Sequence, residues 1–438
     1  MRKFTLFQTC ILLFLMLSFG CSGRQGTSGD VVTLTFWHSF VATTQPALKE
    51  LIRRFEAEHP NIRVDAQYIP TGDALIQKLV SSVRSHTAPD ISWVHADFLG
   101  PLVQARAIYP MDTFIKGENG LTDAQLADLF PGFLEAAKWQ DTLYAMPMEG
   151  TLLALFYNRD MFREAGLDPS RPPRTWDELR SFTQKLTVMR PGGTDIRRVG
   201  FYVPAYPASG PLDLWMVLQW LPYLWQAGGV AIDTNQTRVL YNSPAGVQAL
   251  SLWNDLYRAT GSTMTSMSHD VAFVSKYAAM IMDGPWDLPR FRKMENLDWA
   301  VAPLPEGPAG RATYLAGEHL AIFRQSEHPD AAWTFIKWMI RPETQAFFSE
   351  QSGYLPVTRS TLSLPEYQQY LEHDPALRAF VEQIPMGRPR RHIDYFHVEI
   401  NRHIAEAIEK TLVGDMDPQA ALNESAAKSN QLLRSTRH

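Results

Sequence analysis

Cysteine is almost absent from this chain: its 438 residues include two, Cys10 and Cys21, both close to the N-terminus. The body that follows therefore has no disulfide staple and no thiolate metal ligand. It must fold on its core alone, which a chain of this length can do. Long apolar runs are scarce as well. One uncharged stretch, Phe4 to Phe19, is shorter than the ~20 residues a membrane-spanning helix needs, and nothing later approaches it. Positive charge is not in excess either, since the formal net charge is −5 and becomes more negative if Arg2 and Lys3 are lost. That argues against nucleic acid as a partner. Common catalytic motifs are missing too: there is no His-Glu-x-x-His helix, no Gly-x-Ser-x-Gly elbow and no Gly-x-x-x-x-Gly-Lys phosphate loop.

What is present begins with the leader. Arg2 and Lys3 precede the uncharged run, and Gly20 sits before Cys21, which reads as an export signal over 1–20 ending in a lipoprotein cleavage site. A lipid is expected on the Cys21 thiol, followed by a Gly- and Ser-rich linker over 21–30. The usual branched aliphatic residue three places before the cysteine is Ser18 here, so a plain cleaved signal peptide and an uncleaved anchor helix stay open. Either of the first two readings sends the protein out of the cytoplasm, and lipidation holds it at the outer face of a membrane.

Aromatic residues make up 11% of the chain, with 12 Trp, and several stand in turn-like contexts. Trp37 lies in WHSF, Trp93 follows PDIS, and Trp286 lies in DGPWDL. Rings of this kind stack on the flat faces of sugars. Trp215, Trp220 and Trp225 share one helical segment, where core packing competes with a ligand-binding role.

Hydrophobic periodicity alternates between strand and helix. Val31–Trp37, Ile62–Ile69 and Asp90–Val94 read as strands, and Pro46–Glu58 and Asp73–Ser85 as helices. This order predicts an α/β fold with parallel-type sheets flanked by helices. Ligands then bind beyond the carboxyl ends of the strands, at Trp37-His38-Ser39 and at Trp93 to Asp97. Pro and Gly breaks near 145 and 285 and a helix-rich tail suggest two lobes, as size alone does. No repeat occurs. Asp97, Glu149, Asp287 and Glu318 are acids that a hydrolase would pair in space, which sequence cannot show. His38, His95 and His319 match no zinc spacing, and no cofactor is expected.

Several blocks, taken in order, carry a resemblance. They are LTFWHSF with HPNIRV, TAPDISWVHAD, LYAMPMEGTLLALFYNRDMFREAGL, KYAAMIMDGPWDL, VAPLPEGPAGRATYLAGEHLAIF and AAWTFIKWMIRPETQAFFSEQSGYLPVTRS. From about Val31 to Leu433 the chain resembles the extracellular solute-binding proteins of carbohydrate-type ABC importers, relatives of the maltose- and glycerol-3-phosphate-binding proteins. The resemblance implies a two-lobed periplasmic-binding-protein fold of type II with three hinge crossings, near 145, 285 and 351. Lobe 1 would comprise 31–145 and 285–350, and lobe 2 would comprise 146–284 and 351–438. It implies ligand contacts from Trp37, His38 and Ser39, from Asp97 as a carboxylate accepting hydroxyl hydrogen bonds, from Trp286 as a stacking ring, and from Gly317 and Glu318 in a loop that lets ligand near the backbone. Glu149 is close to a carboxylate used in the maltose protein, with spacing to Tyr157 that differs by about two residues. Trp220 joins this list from the aromatic helix.

The segment around Tyr354, GYLPVT, and the terminal NQLLR resemble the glycerol-3-phosphate branch, which adds Tyr354, Arg390 and Arg391 as candidates. The two arginines read equally as solvated surface charge. The function implied is capture of a sugar or oligosaccharide by lobe closure, with delivery to a membrane permease served by cytoplasmic ATPase subunits. Glycerol-3-phosphate or a glycerophosphodiester is the alternative ligand. A glycoside hydrolase and a lipid-anchored glycan-docking protein are the readings of other classes. A monomer is expected, held to the membrane by its lipid.

Overall fold

The computed structural model describes residues 31–70, 73–192, 196–205, 213–260, 267–389 and 397–435. Thirteen strands lie among them. They are β1 Val32–His38, β2 Ile62–Tyr68, β3 Ile91–His95, β4 Lys138–Trp139, β5 Thr142–Leu143, β6 Met146–Leu152, β7 Ala154–Asn158, β8 Val188–Met189, β9 Ile196–Phe201, β10 Ala278–Asp283, β11 Trp299–Ala302, β12 Thr313–Ile322 and β13 Gly387–Pro389. One sheet runs β13-β12-β3-β1-β2, with β6 also on β12, and a second runs β11-β7-β10-β9-β8. Strands β4 and β5 form a small hairpin.

The opening of the chain folds as its periodicity requires. Helix Gln45–Glu58 buries Leu48, Leu51 and Phe55, spaced to share one face. That face packs inward while β1 and β2 pair in parallel from Val32↔Ile62 to His38↔Tyr68. Strand β3 joins β1, also in parallel. The sheets are nonetheless mixed rather than parallel throughout. Strand β12 runs antiparallel to β3 and β6, and β7 runs antiparallel to β10 and β11. These are the strands next to the crossings. A strand arriving from the other lobe enters at the end where β1 and β3 leave, so it must run against them.

The first two changes of sheet do not fall at the breaks the sequence marks. Met146–Leu152 pairs with β12 in the first sheet and Ala154–Asn158 lies in the second, so the first change occurs at Leu153 rather than at 145. Strand β11 pairs with β7 in the second sheet, so the return falls between Ala302 and Thr313 rather than at 285. Strand β13 pairs with β12 in the first sheet. Helices His397–Leu412 and Pro418–Ser435 belong to the second core. After 351 the chain reaches the second sheet before β13, because helix Pro375–Val381 packs on β11 and the Phe380 ring lies 5.8 Å from that of Phe156. Pro and Gly mark turns in the chain, and a turn need not coincide with a change of sheet.

The second core surrounds helix Asp213–Gln226, which is buried at every position from Met216 to Gln226. Helices Pro244–Thr260 and His397–Leu412 pack on it. Trp220 is 0% exposed there, which corrects its place among the ligand contacts. The helix is apolar on all sides, as a fully enclosed helix is, so its sequence holds no facing signal to separate core from platform. Trp220→Ala should lower folding stability by about 3–5 kcal/mol and leave ligand affinity of the folded protein unchanged. Denaturant titration and calorimetry check both parts, and a matching loss of affinity would return Trp220 to the site.

Candidate functional site

Four stretches far apart in sequence meet at the junction of the two sheets. Strands β6 and β12 set Glu149 opposite Glu318 and Gly150 opposite Gly317. A Cβ on Gly317 would lie 2.2 Å from the Glu149 carbonyl oxygen. The missing side chain therefore serves the approach of two strands, which corrects the expectation that it admits ligand to the backbone. Gly150 and Leu355 exchange backbone hydrogen bonds, both 2.8 Å, and this draws Gly353–Leu355 onto β6. Gly353 has φ +84°, a left-handed conformation glycine adopts at little cost. A Cβ there would lie 2.4 Å from the Pro285 carbonyl oxygen. The short turn Pro285–Asp287 therefore lies against the 353–355 segment.

Two carboxyl pairs result. Glu149 is 1% exposed, and burial, followed by the charge of Glu318 beside it, pushes its carboxyl well above the ordinary range. With both groups ionised, Glu149 Oε1 and Oε2 and Glu318 Oε2 are buried acceptors without a donor. One shared proton turns the contact into a hydrogen bond. The second pair closes β10. Asp283 is fully buried, and its Oδ1 accepts from Gly284 N at 2.8 Å and from His269 Nε2 at 3.0 Å. Trp215 Nε1 donates to His269 Nδ1 at 3.2 Å, which leaves the ring proton on Nε2. Asp283 Oδ2 is buried without a partner. Asp287 is pushed up to about 9 by burial and then by Asp283. Arg290, 3.6 Å from Asp287, pairs more closely with Asp270.

Tyr354 stands between the pairs. Burial, then the charges of Glu149, Glu318 and Asp287, push its phenol well above the ordinary range. Its ring stacks on Phe348 at 6.1 Å and meets Phe40 edge-on at 6.0 Å. Trp286 is half-buried, meets Trp215 edge-on at 5.7 Å, and packs against both hydrophobic clusters, each of which draws residues from the two sheets. The structure thus brings together Glu149, Glu318, Trp286 and Tyr354 of the sequence-derived candidates. It adds Asp287, named in sequence only as a possible hydrolase acid. Asp283, His269 and Phe40 were not anticipated. The one local signal for Asp283 is an acid ending an otherwise apolar strand, AAMIMD.

Trp37, His38 and Ser39 lie elsewhere. Trp37 donates from Nε1 to Gln67 at 3.1 Å, and Lys78 Nζ sits 4.3 Å from its ring centroid, so its polar edge and one face are occupied within the first lobe. The Ser39 hydroxyl donates to the Ile69 carbonyl at 2.7 Å. His38 is buried among Phe36, Phe40 and Tyr68, and burial lowers its pKa to about 4, so it is neutral at pH 7. These three pack the end of β1, and the ring that reaches Tyr354 is the next one along, Phe40. Asp97 is on the turn Ala96–Phe98 after β3, with its side chain outside the described residues. Cys21, Arg390 and Arg391 lie outside them too. Among the described residues no three His, Cys, Asp or Glu are grouped to hold a metal ion, and no helix is long and apolar enough to cross a membrane.

A raised carboxyl pKa has a defined consequence for stability. The folded state favours protonated Asp287, so its contribution is fully present below the ordinary value near 3.8 and is lost as pH rises toward about 9. Asp287→Asn keeps a neutral group at every pH. It should raise the melting temperature at pH 8, by a stabilisation on the order of 1–3 kcal/mol for relieving a buried, poorly partnered acceptor. The gain should vanish near pH 4. Thermal melts at pH 4, 6 and 8 test this, and a variant less stable at every pH would mean that Asp287 is ionised and held by Arg290.

The whole chain is similar to known binding proteins. The sn-glycerol-3-phosphate-binding periplasmic protein of Escherichia coli strain K12 is 23% identical over 424 residues, which cover 93% of this chain and 94% of that one. The crystal structure of the cyclic alpha-maltosyl-1,6-maltose binding protein from Arthrobacter globiformis superposes with a TM-score of 0.80 at 25% identity, covering 93% of this chain and 100% of that chain. The UgpB protein of Mycobacterium tuberculosis, solved with glycerophosphocholine, gives 0.78 at 22% identity over 94% and 100%. These neighbours share the two-lobed fold. The family model for the bacterial extracellular solute-binding protein matches residues 50–377, a span that holds the whole second sheet, strands β2, β3, β6 and β12 of the first, and all four converging stretches, and this chain belongs to that family.

Proposed function

We propose that this protein captures a saccharide or polyol between its lobes, without turning it over, and delivers it to a membrane permease driven by cytoplasmic ATPase subunits. The observation that carries the ligand class is the make-up of the junction: two carboxyl pairs and the rings of Trp286 and Tyr354, with the nearby donors Arg290 and His269 already bonded to Asp270 and Asp283. Acceptor groups of this kind suit hydroxyl donors, and an aromatic face suits a sugar ring. Among the described residues a phosphate placed there would meet negative charge, and the nearby arginine, Arg290, is already held by Asp270.

Closure follows from the same geometry. A ligand touching Trp286 and Tyr354 contacts elements tied to both lobes, so it favours the closed arrangement by its difference in affinity for the two states. Hydrolysis fits poorly, because a glycosidase holds its two carboxyls ~5 Å or more apart across the bond, whereas Glu149 and Glu318 are within hydrogen-bonding reach of each other. Lobe boundaries are proposed at the three changes of sheet, with a monomer held by a lipid on Cys21. Glycerol-3-phosphate remains a second reading, favoured by the relative that binds it and by Arg390 and Arg391.

A thermal-shift screen against mono- and oligosaccharides and glycerol-3-phosphate tests the proposal. At least one neutral or amino saccharide should raise the melting temperature and glycerol-3-phosphate should not. Trp286→Ala should weaken the saccharide hit by about 2 kcal/mol or more, as when an aromatic anchor is truncated. Stabilisation by the phosphate ester alone, lost in Arg390→Ala or Arg391→Ala, would reverse the order of the two ligands. Separately, Cys21→Ala should move the protein from the membrane fraction to the soluble one, and unchanged retention would remove the lipid anchor without touching the binding proposal.

A further inference from the structure

We propose that the ligand class is narrower than saccharides at large: the junction is built for a sugar or polyol bearing a protonated amino group, seated between Glu149–Glu318 and Asp283–Asp287 against Trp286 and Tyr354. This rests on the saccharide reading above and refines it. Among the fully buried side-chain atoms without a partner at the junction, acceptors outnumber donors. Glu149 Oε1 and Oε2, Glu318 Oε2 and Asp283 Oδ2 are buried without partners. A fully buried unpartnered donor near them is the indole N–H of Trp93, which is 5% exposed. Trp93 lies on the same sheet face as Glu318, because β3 and β12 pair His95 with Glu318 and Trp93 with Leu320. Phe40 links its ring to that of Tyr354, at 6.3 Å and 6.0 Å.

A hydroxyl fills this imbalance poorly, since each one brings two acceptor lone pairs with its single donor. An ammonium group brings three donors, no acceptor and a positive charge. Aromatic faces beside it add a cation–π attraction that grows as water is excluded. The protein's own donors do not serve, because Arg290 is turned to Asp270 and the neutral His269 gives its Nε2 proton to Asp283. Protons on the carboxyl pairs are what an ammonium group would replace. Trp93 is left to donate to a ring hydroxyl, so the carboxyls set the preference for the amine while Trp93 and the aromatic rings hold the sugar.

The test is calorimetry on the purified mature protein at pH 7, with ligands matched except at one group: glucose, glucosamine and N-acetylglucosamine, and cellobiose, its diamino counterpart and chitobiose. The amino member of a set should bind about tenfold tighter or more than its hydroxyl counterpart. The N-acetyl member, which has no charge, should lose that gain. In Glu318→Gln and Asp287→Asn, each checked for a cooperative melt, the amino-to-hydroxyl ratio should fall toward one. Repeating the titrations in buffers of different ionisation enthalpy should show protons released with the amino ligand and none with the neutral one. If neutral and amino members bind equally, or the ratio survives both substitutions, the amine preference is wrong and the saccharide reading stands. If no member of either set binds, both fall.

Discussion

The pairing of β6 with β12 is the constraint on which the rest depends. Each strand lies beside a point where the chain changes lobes, and the two stay tied through the crossing. Thr313 Oγ1 donates to the Leu153 carbonyl at 2.5 Å, and Leu153 N donates to the Tyr314 carbonyl at 3.3 Å. The pairing is close because Gly317 has no side chain where the Glu149 carbonyl arrives. Gly150 then accepts the 353–355 segment as a further rung, and Gly353 accepts the Pro285 turn. A bulkier residue at any of these contacts would separate stretches that the site needs together.

That tight seam explains why acids are buried at it. Antiparallel register places Glu149 directly opposite Glu318, and cross-strand neighbours of like charge are destabilising. Placing two carboxyls in a protein interior is costly unless they are paired or protonated. Sequences seldom retain such an arrangement for stability alone, and perturbed carboxyls gather where a protein binds or reacts. Here the cost is concentrated at the junction of the lobes, where burial strengthens every electrostatic contact the groups make.

Fold and ligand are separate questions in this family. The shared two-lobed fold places the junction, and one fold hosts many ligands through the few side chains that line it. The relatives named above bind a phosphate ester, a cyclic maltosyl sugar and glycerophosphocholine. The charge of this junction distinguishes among such classes on physical grounds, because a buried carboxyl repels an anion, tolerates a hydroxyl and attracts a cation.

The sequence by itself determined the early strand–helix alternation and, through its family resemblance, the two-lobed class, and it put forward Glu149, Glu318, Trp286 and Tyr354 as candidates. Each of these depends on local periodicity or on a block of neighbouring residues that can be read along the chain. Tertiary structure alone decided that Trp220 is core, because an all-apolar helix has no facing signal, and that Trp37, His38 and Ser39 pack the end of β1 while Phe40 reaches Tyr354. It also decided that β11 and β12 belong to different sheets, since strand pairing is a contact between distant segments. The partnership of Glu149 with Glu318 and of Asp283 with Asp287, and the role of Gly317 in admitting a neighbouring strand, follow from register. Register is fixed only when the strands meet, so no reading of either strand alone contains it.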